Sequence, residues 1–206
     1  MKIFLDENFI QLAEKAPADP PDNMEVRACW STAELEVILD RFERDGGRFN
    51  LYLYPADEQY KLEEGFASLF KYINAAGGIV TNEMGEMLFI YRWGKWDLPK
   101  GKLHKKRSES PEEGAVREVM EETGLTRISI TKELIPTFHI YSQEGKRILK
   151  KTWWYLMSGS RSEQLKPQAD EDITEAKWVD PKDMGEVLEN TYASLRELLF
   201  TVTRNT

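Results

Sequence analysis

Only one cysteine, Cys29, occurs in 206 residues, so the chain can form no disulfide with itself. It stands in an apolar, strand-like run, Val26-Arg27-Ala28-Cys29-Trp30, and reads as a small core residue rather than a nucleophile. Histidine is nearly as scarce: His104 and His139 lie far apart, and no zinc-ligand spacing joins them. No apolar run approaches the length needed to cross a bilayer. The opening segment, Met1-Lys2-Ile3-Phe4-Leu5-Asp6-Glu7, lacks the apolar stretch of a secretory signal. The expectation is a cytoplasmic protein with no membrane partner. A formal net charge of −8 and the lack of an aromatic-rich basic stripe argue against a nucleic-acid partner. No internal repeat or low-complexity segment stands out.

What is present suits a packed α/β protein. Hydrophobic residues make up 41% and aromatics 11%, enough for a core, while 31% charged residues make a well-solvated surface. Two regions are expected. Residues 1–73 read as a small α/β module. A Pro-rich loop, Ala16-Pro17-Ala18-Asp19-Pro20-Pro21-Asp22, follows a short apolar start. Ser31 can cap a helix with Leu35, Ile38, Leu39 and Phe42 on one stripe, ending before Gly46-Gly47. Phe49–Tyr54 alternates like a strand, and a second helix carries Leu62, Phe66, Leu69, Phe70 and Ile73. Partner binding or homodimer formation would also use such stripes, but a core of the module's own is the more economical reading.

Residues 74–206 read as a second, larger domain. Strand-like segments occur at Ala75–Val80, Met87–Arg92, Ile128–Leu134, Thr137–Tyr141, Leu149–Met157 and Ala176–Val179. Asn82–Glu86 and Ser142–Gly145 are turns, and Pro181 opens a C-terminal helix. That helix places Met184, Val187, Leu188, Tyr192, Leu195, Leu198 and Leu199 at helical spacing.

The chemistry concentrates in one block, Gly101 to Leu125. Ser110 is a good N-cap, Pro111 suits the first helical position, Glu113 completes a capping box, and Gly124 can end the helix in the left-handed conformation. Glu118, Glu121 and Glu122 then fall within an arc of roughly 100° on that helix. Ala115, Val116, Val119 and Met120 form a separate apolar arc. Crowded carboxylates destabilise a bare helix, and a hard divalent cation such as Mg²⁺ or Mn²⁺ reverses that effect. Taken as charges alone, the arc reads first as a solvated acidic face, since charge runs are usually just exposed.

The block resembles the Nudix box, G-x5-E-x7-R-E-U-x-E-E-x-G-U with U aliphatic. Glu109, Arg117, Glu118, Val119, Glu121, Glu122, Gly124 and Leu125 match in register. Seven residues rather than five separate Gly101 from Glu109, so the loop before the helix carries a two-residue insertion. Strict register would place the glycine at Leu103. Gly101, within Trp96-Asp97-Leu98-Pro99-Lys100-Gly101-Lys102, is the better equivalent.

The resemblance implies a mixed sheet sandwiched between helices, and metal-dependent hydrolysis of a phosphoanhydride in a nucleoside diphosphate-linked or polyphosphorylated small molecule. Dinucleoside polyphosphates and modified nucleotides are the nearer candidates, and Mg²⁺ or Mn²⁺ the cofactor. By the same resemblance Gly101, Glu118, Glu121 and Glu122 hold the metal, and Glu109 and Arg117 form a structural ion pair. Glu121, Glu122 or an acid from a distant loop serves as general base; among Asp170, Glu171, Asp172 and Glu175 the choice is Glu171. Lys100, Lys102, Lys105, Lys106 and Arg107 form one basic cluster; Lys146, Arg147, Lys150 and Lys151 form another. Phosphate contact and plain solvation are both open for each cluster, with Lys100, Lys102 and Lys150 chosen as substrate contacts. The alternatives are a catalytically silent Nudix-fold binding or regulatory protein, and a hydrolase that acts on RNA ends.

Overall fold

The computed structural model describes residues 1–19, 22–44, 49–104 and 108–204. Pro20, Pro21, Gly46 and Gly47, and the basic residues Lys105, Lys106 and Arg107, lie outside the described residues. The chain divides into two compact units. One comprises Met1–Ile73 with Phe138–Lys150, the other Asn74–Thr137 with Lys151–Thr206.

The first unit starts with an antiparallel pair, β1 (Lys2–Leu5) and β2 (Asn8–Leu12). Next come β3 (Met24–Cys29), α1 (Thr32–Arg44) and β4 (Asn50–Pro55). β3 and β4 run parallel, as a crossover through a helix requires. β4 also pairs parallel with β2, giving the order β1-β2-β4-β3. α1 buries Leu35, Leu39 and Phe42, and α2 (Leu62–Ser68) adds Leu62 and Phe66 to the same cluster as Ile3, Ile10, Leu51 and Leu53. Cys29 is buried there too, and burial raises its thiol to about 11, which keeps it protonated.

A boundary drawn at residue 73 leaves out part of this unit. The strand β10 (Thr137–Gln143) runs parallel to β1, and Ile140 and Leu149 lie in the first unit's core. Apolar side chains far along the sequence complete a core that the first 73 residues leave open. The helix read through Ile73 stops at Ser68, because from Lys71 the chain is extended as β5 (Lys71–Thr81).

In the second unit β5 neighbours β6 (Met87–Arg92), and the order is β12-β6-β5-β11, with β11 spanning Lys146–Ser158 and β12 Ile173–Val179. β7 (Lys95–Asp97) pairs with β6, β8 (Lys100–Lys102) with β5, and β9 (Ser129–Glu133) with β11. Successive strand residues point to opposite faces. Ile79, Phe89 and Trp154 accordingly pack with Val187, Leu195, Leu198 and Leu199 of α4 (Met184–Glu189) and α5 (Ala193–Arg204). Their neighbours Val80, Leu88 and Tyr155 pack with Ala115 and Val119 of α3 (Pro111–Thr123). The sheet is thus sandwiched between helices, in an α/β fold.

The expected single C-terminal helix is broken at Asn190–Tyr192. There the Asn190 carbonyl accepts from Trp96 N–H at 2.9 Å, and Thr191 Oγ1 donates to the Trp96 carbonyl at 2.7 Å. This backbone serves β7 instead of continuing the helix, and Leu188 is left partly exposed.

Candidate active site

α3 is locally well specified. The Ser110 hydroxyl accepts from Glu113 N–H and the Glu113 carboxylate accepts from Ser110 N–H, while Gly124 ends the helix at φ 77°. The burial of its side chains departs from the expectation of an anchored apolar face opposite a carboxylate face. Glu118 and Glu122 are buried along with Ala115 and Val119, and Glu122 is 0% exposed. Residues 115, 118, 119 and 122 are spaced i, i+3, i+4 and i+7, so they form one stripe. Val116 and Met120 instead line a shallow groove with Glu112, Glu113, Arg117, Glu121 and Ile130.

Burying two carboxylates requires answering groups, and the structure supplies them. Glu122 Oε2 accepts from Lys100 N–H at 2.7 Å, and Oε1 accepts from Arg92 Nη1 at 3.3 Å. Arg92 Nη2 also lies 3.3 Å from Glu171 Oε2. Arg117 Nη1 donates to Glu118 Oε1 at 2.7 Å and to Glu121 Oε2 at 2.8 Å, and Nε donates to Glu109 Oε1 at 2.6 Å. The carboxylate arc therefore has a cationic partner within its own helix. Glu109 Oε2 accepts from His104 N–H, and Arg117 Nη2 donates to the Lys102 carbonyl, so the ion pair ties the loop before the helix to its middle.

The electrostatics of these acids differ. Burial pushes Glu122 up to about 8; Lys100 and Arg92 oppose that shift and buried Asp97 adds to it. Burial also raises Glu118, with Arg117 opposing and Glu121 and Glu171 adding repulsion. Hydrogen bonding from Arg117 holds Glu109 down at about 2. Glu118 and Glu122 are thus desolvated carboxylates that a further cation would relieve.

Among the described residues, no group of three or more His, Cys, Asp or Glu side chains is already gathered around a metal position. The donor chemistry nonetheless fits a hard divalent ion. Glu118, Glu121, Glu122 and the Gly101 carbonyl are all oxygen donors. Arg117 Nη1 sits between Glu118 and Glu121 as a cationic stand-in. A Cβ at Gly101 would overlap the Glu118 carboxylate, so only glycine lets β8 lie this close.

Glu171 stands in a short 3-10 turn, Ala169–Glu171, with 41% of its side chain exposed, and Arg92 joins it to Glu122. Lys100 Nζ pairs with Asp97, while Lys102 is exposed. Lys150 falls in the other unit. Arg147, also of that unit, is engaged by Asp40, Glu43 and Glu36, which makes it a structural cation rather than a phosphate contact. Lys151 Nζ lies 3.3 Å from the centre of the Trp153 ring. Sequence reasoning gave no role to Arg92 or Asp97. Asp97 lies inside the quoted W-D-L-P-K-G-K run; Arg92 ends an apolar strand and carries no local signal.

Comparison with known proteins gives the family. The family model for the NUDIX domain matches residues 71–201. A MutT-like protein of Streptomyces ambofaciens is 30% identical over 121 residues, covering 58% of this chain and 71% of that protein. The crystal structure of a MutT protein from Methanosarcina mazei Go1 is 26% identical, with a TM-score of 0.51, and the match covers 66% of this chain and 96% of that one. Nudix hydrolases generally use divalent metals. The chain belongs to the Nudix family and is a Nudix-type pyrophosphohydrolase acting on a small-molecule substrate.

Proposed function

We propose that the second unit hydrolyses a phosphoanhydride in a nucleoside diphosphate-linked or polyphosphorylated compound, with Mg²⁺ or Mn²⁺ held by Glu118, Glu121, Glu122 and the Gly101 carbonyl. The observation that carries this reading is the pair of buried carboxylates, Glu118 and Glu122, beside a glycine that a Cβ would displace. When bound, the metal screens the phosphate charge and polarises the phosphoryl oxygens.

The protein's own groups do the rest. Arg117 and Glu109 fix the helix against the loop, so the carboxylates start in position. Lys100 N–H and Arg92 hold Glu122 in one orientation. Glu171 is open to water and anchored by Arg92, which suits it to take the proton as water attacks phosphorus. The new bond joins water oxygen to phosphorus, the bridging P–O bond breaks, and the second phosphate leaves with the bridging oxygen. Lys102, exposed on β8, supplies positive charge for the substrate's phosphates, while Lys100 Nζ is already held by Asp97.

Among substrates, dinucleoside polyphosphates and modified nucleotides fit the run Trp96–Lys102 best. A metal-supplemented screen of nucleotides and polyphosphorylated compounds, with products identified by mass, tests the reading. Cleavage between two phosphorus atoms is the expected result, and no product from any phosphoanhydride overturns it.

A further inference from the structure

The turn between β6 and β7 carries a residue that its backbone does not favour. Trp93 has φ 52° and Gly94 has φ 78°. Two consecutive left-handed residues between antiparallel strands form the tight hairpin turn that Asn-Gly suits best. A bulky residue in the first place is strained, and here burial does not compensate, because Trp93 is 68% exposed.

The ring is nevertheless held. Trp93 Nε1 donates to Asp172 Oδ2 at 3.0 Å, and Asp172 is itself left-handed at φ 59°. The Arg92 guanidinium carbon lies 4.1 Å from the indole centre. The same guanidinium reaches Glu122 and Glu171. One arginine therefore separates an exposed, oriented indole from the carboxylates of the site.

We propose that Trp93 is the platform on which the planar base of a nucleotide substrate stacks while its phosphates reach Glu118, Glu121 and Glu122. This rests on the phosphoanhydride reading of the site and narrows its substrate to base-bearing compounds. Arg92 covers one face of the indole, and the base covers the other. Such stacking tolerates any base, because every base presents a π-face. The bond to Asp172 fixes the ring before binding, so little side-chain freedom is lost when the base arrives.

The test compares binding, without turnover, in the Mg²⁺-loaded protein. The probes are α,β-methylene ADP, α,β-methylene GDP and, as the base-free control, methylenediphosphonate, measured by calorimetry. Trp93→Asn suits the turn and should fold at least as stably as the wild type, which separates a binding role from a structural one. It should weaken both nucleoside probes about 10-fold or more and leave the base-free probe unchanged, while Trp93→Phe keeps most of the affinity. Equal affinities in wild type and Trp93→Asn, or equal weakening of the base-free probe, would overturn the proposal. Wild-type binding of the nucleoside probes no tighter than the control would overturn it too. Because no turnover is read, failure of the wild type to hydrolyse any phosphoanhydride counts against the hydrolase reading and leaves the stacking result standing.

Discussion

Two arginines in this chain each gather three acids, and the acids differ in their access to water. In the first unit Arg147 engages Glu36, Asp40 and Glu43 of α1, all of them solvent-exposed or partly so. In the second unit Arg117 engages Glu109, Glu118 and Glu121. Glu109 and Glu118 are nearly closed off, and only Glu121 faces solvent, at 48%. Both arginines are held more firmly protonated by their partners. Water can screen the first cluster. Around Arg117 the protein must do that work, and it does so incompletely, since Glu118 and the neighbouring Glu122 remain raised. A charge cluster at the surface is a local tie, whereas buried, under-compensated carboxylates mark a candidate site.

Several measurements would break or sharpen this contrast. The largest effect expected is metal removal: turnover on the best substrate should vanish in chelator and return with Mg²⁺ or Mn²⁺. Full activity in chelator would erase the distinction between the two clusters. Next come Glu121→Gln and Glu122→Gln, which keep size but remove charge. Each should lower the rate by roughly 10²-fold or more with the fold intact. Asp40→Asn and Glu43→Gln should leave the rate unchanged, and a comparable loss there would sink the comparison.

Stability should separate the arginines in the same direction. Arg117→Ala leaves Glu109 and Glu118 buried without a counter-ion and should cost about 3–5 kcal/mol in denaturant unfolding. Arg147→Ala leaves its acids facing water and should cost about 1 kcal/mol or less. Similar costs for the two would show that burial does not set their value.

A further effect concerns acid. Glu109 is held at about 2 in the folded protein, against roughly 4.3 in an unfolded chain. Between these values the unfolded chain binds more protons. The stability it contributes is therefore complete above about 4.3 and is lost as the pH falls through about 2. Urea midpoints of wild type and Glu109→Gln should differ at pH 7 and converge as the pH is lowered through that window. A constant gap would place the stabilisation elsewhere.

The sequence by itself determined the elements whose cause is local. α3 has its boundaries from Ser110, Pro111, Glu113 and Gly124, because caps act through backbone groups within a few residues. The match of Glu109, Arg117, Glu118, Glu121 and Glu122 to the Nudix box gave the family, because that motif lies within one helix and the loop before it. Continuous apolar runs gave β5 and β6, because a strand between two cores buries both faces.

Only the tertiary structure decided which carboxylates lose their water. Glu118 and Glu122 read as an outward face, yet the β8 backbone lies over both and Arg92, 30 residues away along the chain, reaches Glu122. It also decided that Phe138–Lys150 belongs with the first unit, that Asn190–Tyr192 breaks the last helix to serve Trp96, and that Trp93 is tied to Asp172. Each of these joins residues distant in sequence, and periodicity reports only which residues share a face, not what the fold lays across it.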